Sequence, residues 1–305
     1  MARSTIPGAT AGLLLGLLAG CGAGAGGSPG PLPSTVALYD GSTRAPLDQR
    51  VLLDRARSAD FVLLGEVHDN PVHHETRGRI LTALADVGPA VIFEQLRASD
   101  GPIPPPPGGQ PDNAWLDEHG FDRAGWRWPL HRPVVAAAIT HGRSLWGSNL
   151  PRESLVGVVR NGESALPPEL RTVMSRAPLD SAAQALMDQE LIDGHCGQLP
   201  ASMVGGMRTA QVARDASMAR AMMAAAATGP ALLIAGNGHV RGDVAVPRIL
   251  RALAPGKTVL AVGLLETAPA GGLPPDDAWT GYDLVIVTPR IERPDPCAAL
   301  RRSSR

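Results

Sequence analysis

The sequence predicts an α/β fold: a mostly parallel sheet flanked by helices, with a smaller helical subdomain inserted into it. Three observations predict it. Six short apolar runs, at 61–64, 90–93, 144–146, 231–235, 258–265 and 283–287, are continuous rather than alternating, as strands buried on both faces are. Helical stretches lie between them. The interval from about 167 to 228 has no strand signal and is rich in Ala, Met, Leu and Gln, which marks a helical insertion.

Each segment follows from its residues. Met1-Ala-Arg3 is a short basic start, and 9–19 is apolar but shorter than the roughly 20 residues a membrane span needs. With Leu18-Ala-Gly-Cys21 behind it, 1–20 is expected to be a lipoprotein signal peptide and Cys21 the lipidated residue. The Gly-, Ser- and Pro-rich stretch 21–35 reads as a flexible tether, 36–291 as the α/β domain, and 292–305 as a disordered tail. The strand at 61–64 stops at Gly65; Asn70 then caps a helix with Pro71 in its first turn and Val72, Ile80 and Leu84 on one side. The run PIPPPP at 102–107 must be an extended loop. Within the insertion, 182–192 and 207–227 are the strongest helices, and Pro247 opens a last one with Ile249, Leu250 and Leu253.

With 28 basic and 29 acidic residues, the net charge gives no electrostatic reason to expect nucleic acid. Cys196 and Cys297 remain after Cys21; outside the cytoplasm they either pair or stay free, with Cys297 in the Pro- and Arg-rich tail. His195 beside Cys196 serves either packing or the site, and Arg214 with Asp215 reads as a structural ion pair.

Two strand ends carry the chemistry. Gly65-Glu66-Val67-His68 follows one apolar run, and Gly236-Asn237-Gly238-His239 follows another; both are Gly-x-x-His. A third run ends in Glu94. In an open parallel sheet, ligands sit beyond the carboxyl ends of the strands, so the histidines are expected to share one pocket. Imidazole and carboxylate suit zinc, manganese or iron, so Glu66, His68, Glu94 and His239 are candidate metal ligands, and candidate catalytic residues if a metal-bound water hydrolyses a substrate. His73 and His74 fall in a first helical turn, where the dipole disfavours a charged imidazole. Trp115, Trp126, Trp128 and Trp146 form either an aromatic wall or core anchors. Gly236-x-Gly-x-x-x-Gly242 lacks the dinucleotide spacing, and no Gly-x-Ser-x-Gly elbow occurs.

On LLGEVHDNPVHH (63–74), IFEQ (92–95), DGHCGQLP (193–200), AQVARDASMAR (210–220) and LIAGNGHVRGDVAVP (233–247), the chain resembles the ChaN-like haem-binding lipoproteins. These are a branch of a superfamily with Tiki, TraB and erythromycin-esterase proteins. The resemblance implies an α/β core with a helical subdomain, a place in the bacterial cell envelope, a lipid anchor, and a homodimer binding two stacked haems through tyrosine. This chain has only Tyr39 and Tyr282. If neither ligates, His68, His73, His74 or His239 must, or haem is not the ligand. Arg241 is expected to meet a carboxylate such as a haem propionate. The leading expectation is thus a lipid-anchored haem-binding protein of iron uptake or haem storage. The alternative is a hydrolase dependent on Mn, Zn or Co, with Glu66 or His68 as general base.

Overall fold

A computed structural model describes residues 32–295, 297 and 298. The expected signal peptide, the lipidation candidate Cys21 and most of the expected tether lie outside them. In chain order the elements are β1 (Ala37–Asp40), β2 (Pro46–Leu47), α1 (Gln49–Ser58), β3 (Phe61–Leu64), α2 (Pro71–Ala83), β4 (Ala90–Arg97), α3 (Asn113–Glu118), α4 (Arg132–His141) and β5 (Ser144–Asn149). Then come α5 (Arg152–Asn161), α6 (Pro168–Arg176), α7 (Ser181–Gly194), α8 (Ala201–Ala225), β6 (Ala231–Ile234), α9 (Asn237–Val240), α10 (Val246–Leu253), β7 (Val259–Glu266) and β8 (Leu284–Thr288).

The strands form one sheet in the order β2-β1-β8-β7-β3-β6-β4-β5. All neighbours from β8 to β5 are parallel; β1 and β2 add an antiparallel edge. The α/β, mostly parallel expectation holds. That edge hairpin was not legible in the sequence, because β2 is two residues long and β1 is four, with an exposed Ala37 at one end and Asp40 at the other.

Alternation along the strands sorts their side chains into two layers. Val62, Leu64, Val91, Phe93, Leu232 and Ile234 pack with Leu52 of α1, Ile80 and Leu81 of α2 and Val134 of α4. Phe61, Leu63, Ile92, Leu233 and Val285 pack on the other face with Met218 and Met222 of α8 and Ile249 of α10. A third cluster, with Val158, Leu170, Met174, Met187, Ala213 and Ala216, is the core of the helical subdomain. Helix α8 belongs to both: its first half closes the subdomain, and its second half covers the sheet.

Several boundaries differ from expectation. The helical region begins at Arg152 rather than near 167, and α8 starts at Ala201, since Gly205 and Gly206 do not interrupt it. The proline loop is anchored: Ile103 bridges Leu145 of β5, and the Trp115 indole N–H donates to the Pro104 carbonyl. The tail expected to be disordered is held at its beginning. Arg293 pairs with Asp69 and Glu266, and Cys297 forms a disulfide with Cys196 across a separation of 101 residues.

Candidate functional site

The pairing of β3 with β6 runs past the strand ends and carries the two Gly-x-x-His turns with it. Leu64 is in register with Ile234, and the Asn237 N–H donates to the Glu66 carbonyl at 3.0 Å. Each turn needs its glycine for the other turn. A Cβ on Gly65 would lie 2.1 Å from the Asn237 Oδ1, whose amide bridges Leu264 of β7. A Cβ on Gly236 would lie 2.8 Å from the His68 ring. The expected convergence of the two motifs is therefore present, built from mutual close approach.

Around them are two buried polar centres, one on each side of the sheet's end. Consecutive residues of β4 feed them, because neighbouring strand side chains point to opposite faces. Gln95 turns toward α2 and α4, where its amide donates to Glu66 Oε1 at 3.0 Å. The Glu66 carboxylate, fully buried, also lies 2.6 Å from His68 Nδ1, 3.1 Å from His74 Nδ1 and 3.3 Å from His131 Nε2, and is paired with the equally buried Arg77. Arg77 in turn donates to His74 Nδ1, while His74 Nε2–H donates to the His68 carbonyl. His74 is thus neutral; burial pushes it down to about 4, and His131 down to about 2. Burial also lowers Arg77, to about 9.

Glu94 turns the other way, toward α8. It accepts from the Gly236 N–H at 2.6 Å and from Arg214 at 2.5 Å, and lies 3.4 Å from His239 Nε2. His239 Nδ1 donates to Asp215 at 2.6 Å. Burial disfavours the charged form of His239, but Glu94 and Asp215 flank it and together raise it to about 9. Burial likewise works against the Glu94 carboxylate, yet His239 and Arg214 hold its pKa well below the usual range.

His68 connects the centres. Its Nδ1–H is held by Glu66 while its Cε1 and Nε2 lie close to Gly236 beside Glu94, and the ring is edge-on to Trp126 with centroids 4.8 Å apart. Of the histidines gathered here it alone is open, with 46 % of its side chain exposed. Burial, the largest influence on it, lowers its pKa.

The expected metal set does not meet at one point. Among the described residues the group whose ligand atoms all lie within 4.8 Å of one another is Glu66, His74 and His131, and Glu94 and His239 belong to the opposite centre. His73 is a packing residue: its Nδ1 accepts from the Val67 N–H and its Nε2 donates to Thr288. Burial drives it down to about 3. Arg214 and Asp215 do not pair with each other; they reach Glu94 and His239. Arg241 is engaged by Asp243 and Glu190 rather than presented to a ligand. His195 binds the Leu191 carbonyl at the end of α7. Tyr282 is buried and donates to the Asn237 carbonyl at 3.1 Å, and Tyr39 sits edge-on to Trp279 with β8 and β7 between its strand and β3. Trp115 and Trp146 are core; Trp126 alone faces the site.

Sequence reasoning missed Arg77, His131, Gln95 and Gln211, which lies 3.2 Å from His239. Arg77 had a signal, one helical turn beyond His74; His131, far away in a loop, had none.

Beside the Glu94 centre two hollows meet, sharing Arg152, Leu155 and Arg214. One, about 510 Å³, runs under Trp126 and Leu150. The other, about 460 Å³, is an apolar groove between α5, α7 and α8 lined by Val156, Val159, Leu191, Met203 and Met207. Val156 and Met203 are exposed apolar side chains there. Arg152 and Arg160 flank the groove on α5, each about one turn from Val156, and neither forms an ion pair among the described residues.

The family model described as haem-binding uptake, Tiki superfamily, ChaN matches residues 52–250. The chain belongs to that family. Among solved structures, ChaN of Campylobacter jejuni, described as binding heme cofacially, is similar with a TM-score of 0.65 at 17 % identity, over 84 % of this chain and 98 % of that one. At that identity the likeness is one of fold. The type III effector HopBA1 (TM-score 0.41, 15 % identity, 79 % of this chain and 92 % of that one) and a Bacillus cereus protein (0.37, 11 %, 79 % and 90 %) are more distant. Compared with curated proteins, the sequence has no match.

Proposed function

We propose that this member of the haem-binding uptake family binds haem in the cleft between the strand ends and the helical subdomain. The observation that carries the reading is the apolar groove of α5, α7 and α8 with Arg152 and Arg160, without ion pairs among the described residues, on its flank. Its residues suit the group. A porphyrin needs an apolar slot of a few hundred Å³, and its two propionates need two guanidiniums, which hold carboxylates in a fork. Bound haem would supply a redox-active, ligand-binding iron; the chain supplies the slot, the charge and the shelter. The exposed Val156 and Met203 suit a second copy closing over the same groove, in keeping with the stacked arrangement described for the Campylobacter protein.

The setting we propose is the bacterial envelope, with Cys21 as lipid anchor for a protein of haem uptake or storage. Among the described residues no helix is long and apolar enough to cross a membrane; the attachment we propose is Cys21. Its replacement by serine should move the protein from membrane to soluble fractions.

The divalent-metal hydrolase has less support. A fully buried guanidinium already balances Glu66, and Arg214 with His239 already balances Glu94. A dication would add charge to two centres that hold their cations. Haemin titration of the purified protein tests the main reading: a Soret band distinct from free haemin is expected, weakened in Arg152→Glu/Arg160→Glu. A spectrum identical to that of free haemin would end it.

A further inference from the structure

We propose that the iron ligand of this chain is His68 through Nε2, with Glu66 as the group that orients it. The inference rests on the haem reading and goes further, because the tyrosine ligation implied by resemblance has no residue here to carry it. Tyr282 is buried against Gly263, where a Cβ would lie 2.8 Å from the ring, and its hydroxyl is spent on the Asn237 carbonyl. Tyr39 packs on Trp279 toward the far edge of the sheet.

The histidines separate by elimination on geometry. His73, His74 and His239 are buried with both ring nitrogens committed, to Val67 and Thr288, to His68 and Arg77, and to Asp215 and Glu94 respectively; His131 is fully buried, with Nε2 on Glu66 and an unpartnered Nδ1 that is shut away from any ligand. His239 between two carboxylates is a cation, and an imidazolium has no lone pair to give. His68 differs by its exposure. It is exposed, and its Nε2 has no hydrogen-bond partner among the described residues.

Its other nitrogen is what makes it a ligand rather than a surface histidine. Nδ1–H donates to a fully buried carboxylate at 2.6 Å. A carboxylate behind the distal nitrogen fixes the tautomer, aims the ring and raises its basicity toward a metal. Glu66 is itself held by Gln95 and Arg77, so the pair is anchored in the core. Gly236 leaves room for the ring, and Trp126 closes one side, lining the hollow that shares Arg152, Leu155 and Arg214 with the apolar groove. The competing donors are the thioethers of Met203 and Met207, which line the groove but have no supporting shell.

The test is haemin titration of wild type, His68→Gly, Tyr39→Phe/Tyr282→Phe and Met203→Leu/Met207→Leu, read by Soret position, electron paramagnetic resonance and apparent affinity, with thermal melts for folding. His68→Gly should melt like wild type, lose at least on the order of tenfold in affinity and change its ferric spectrum. Added imidazole should restore that spectrum, which a merely structural defect would not allow. The tyrosine variant should keep the wild-type spectrum, and the methionine variant, which alters the groove lining and so the affinity, should keep the wild-type ferric signature in electron paramagnetic resonance. If His68→Gly keeps it too, or if a tyrosine or methionine variant loses it, the assignment to His68 is overturned while haem binding stands. If wild type itself leaves free haemin unchanged, both fall together.

Discussion

The two Gly-x-x-His turns have the same spacing, the same place at the end of a parallel strand and opposite outcomes. In the first, His68 is exposed, neutral and held through Nδ1 by Glu66. In the second, His239 is buried and protonated between Glu94 and Asp215. The backbone delivers both rings to the same strand-end layer; the difference lies in which helix meets each turn. Helix α8 brings Asp215 and Arg214 to the second turn, so charge is neutralised inside. Helix α2 brings Arg77 to Glu66, which leaves His68 outside the ion pair and free on one nitrogen. A motif therefore fixes position, and its packing partners fix protonation and role.

The largest expected effect is at the Glu66 centre. Arg77→Met would strand a buried carboxylate among neutral imidazoles, and breaking a buried pair from one side costs roughly 3–5 kcal/mol. Urea denaturation should show that loss, with much of it recovered when Glu66→Gln is added. A loss under about 1 kcal/mol would mean that Arg77 is not the partner that sets the first turn apart.

At the second turn, Asp215→Asn keeps the shape and removes one of the two carboxylates holding His239. We expect about 2–3 kcal/mol at neutral pH, as for a hydrogen bond to a charged group, and a His239 imidazole that titrates lower by nuclear magnetic resonance. An unchanged His239 titration would assign its protonation to Glu94 alone.

The glycines separate the turns at smaller scale. Gly65→Ala drives a methyl group into the Asn237 amide and breaks its two bonds to Leu264, for about 1–2 kcal/mol by equilibrium unfolding. Gly236→Ala crowds chiefly the far end of the movable His68 ring, with Glu94 Oε2 at an ordinary 3.6 Å, so stability should fall by less than about 1 kcal/mol. The haem spectrum should shift all the same. Equal losses for the two would contradict the asymmetry between a buried amide and a movable imidazole.

How much of this was legible in the sequence follows the same division. The strands, the meeting of the two motifs and the contribution of Glu94 are local: continuous apolar runs, a glycine and a fixed offset determine them. What could not be read is whatever arrives from another element. His131 comes from a loop with no periodic signal, and Arg241, besides its near neighbour Asp243, finds Glu190 through a chain reversal that no spacing encodes. The placing of Glu94 and Gln95 in separate centres was implicit in strand alternation, since adjacent residues must face opposite layers. The four-residue metal set assumed they could share one.

The finest distinction between the turns is their pH dependence, where the signs oppose. His239 is raised from about 6.5 to about 9. Its contribution to stability is complete below the unfolded value near 6.5 and is lost as pH rises through about 9. His73, His74 and His131 are lowered to about 3, 4 and 2. The unfolded chain takes up their protons below about 6.5 and the folded chain refuses them, so their contribution is lost as pH falls from there toward 4 and below. Each group contributes a slope of at most about 1.4 kcal/mol per pH unit. These three imidazoles, joined by His68 and His119, which burial also lowers, act on the acid side and His239 on the alkaline side, so stability should peak near neutrality and fall more steeply toward acid. Urea midpoints at pH 5, 6.5 and 8.5 test this. Asp215→Asn should flatten the alkaline limb and leave the acid limb as it was, whereas a change confined to the acid limb would place the charged imidazole in the wrong turn.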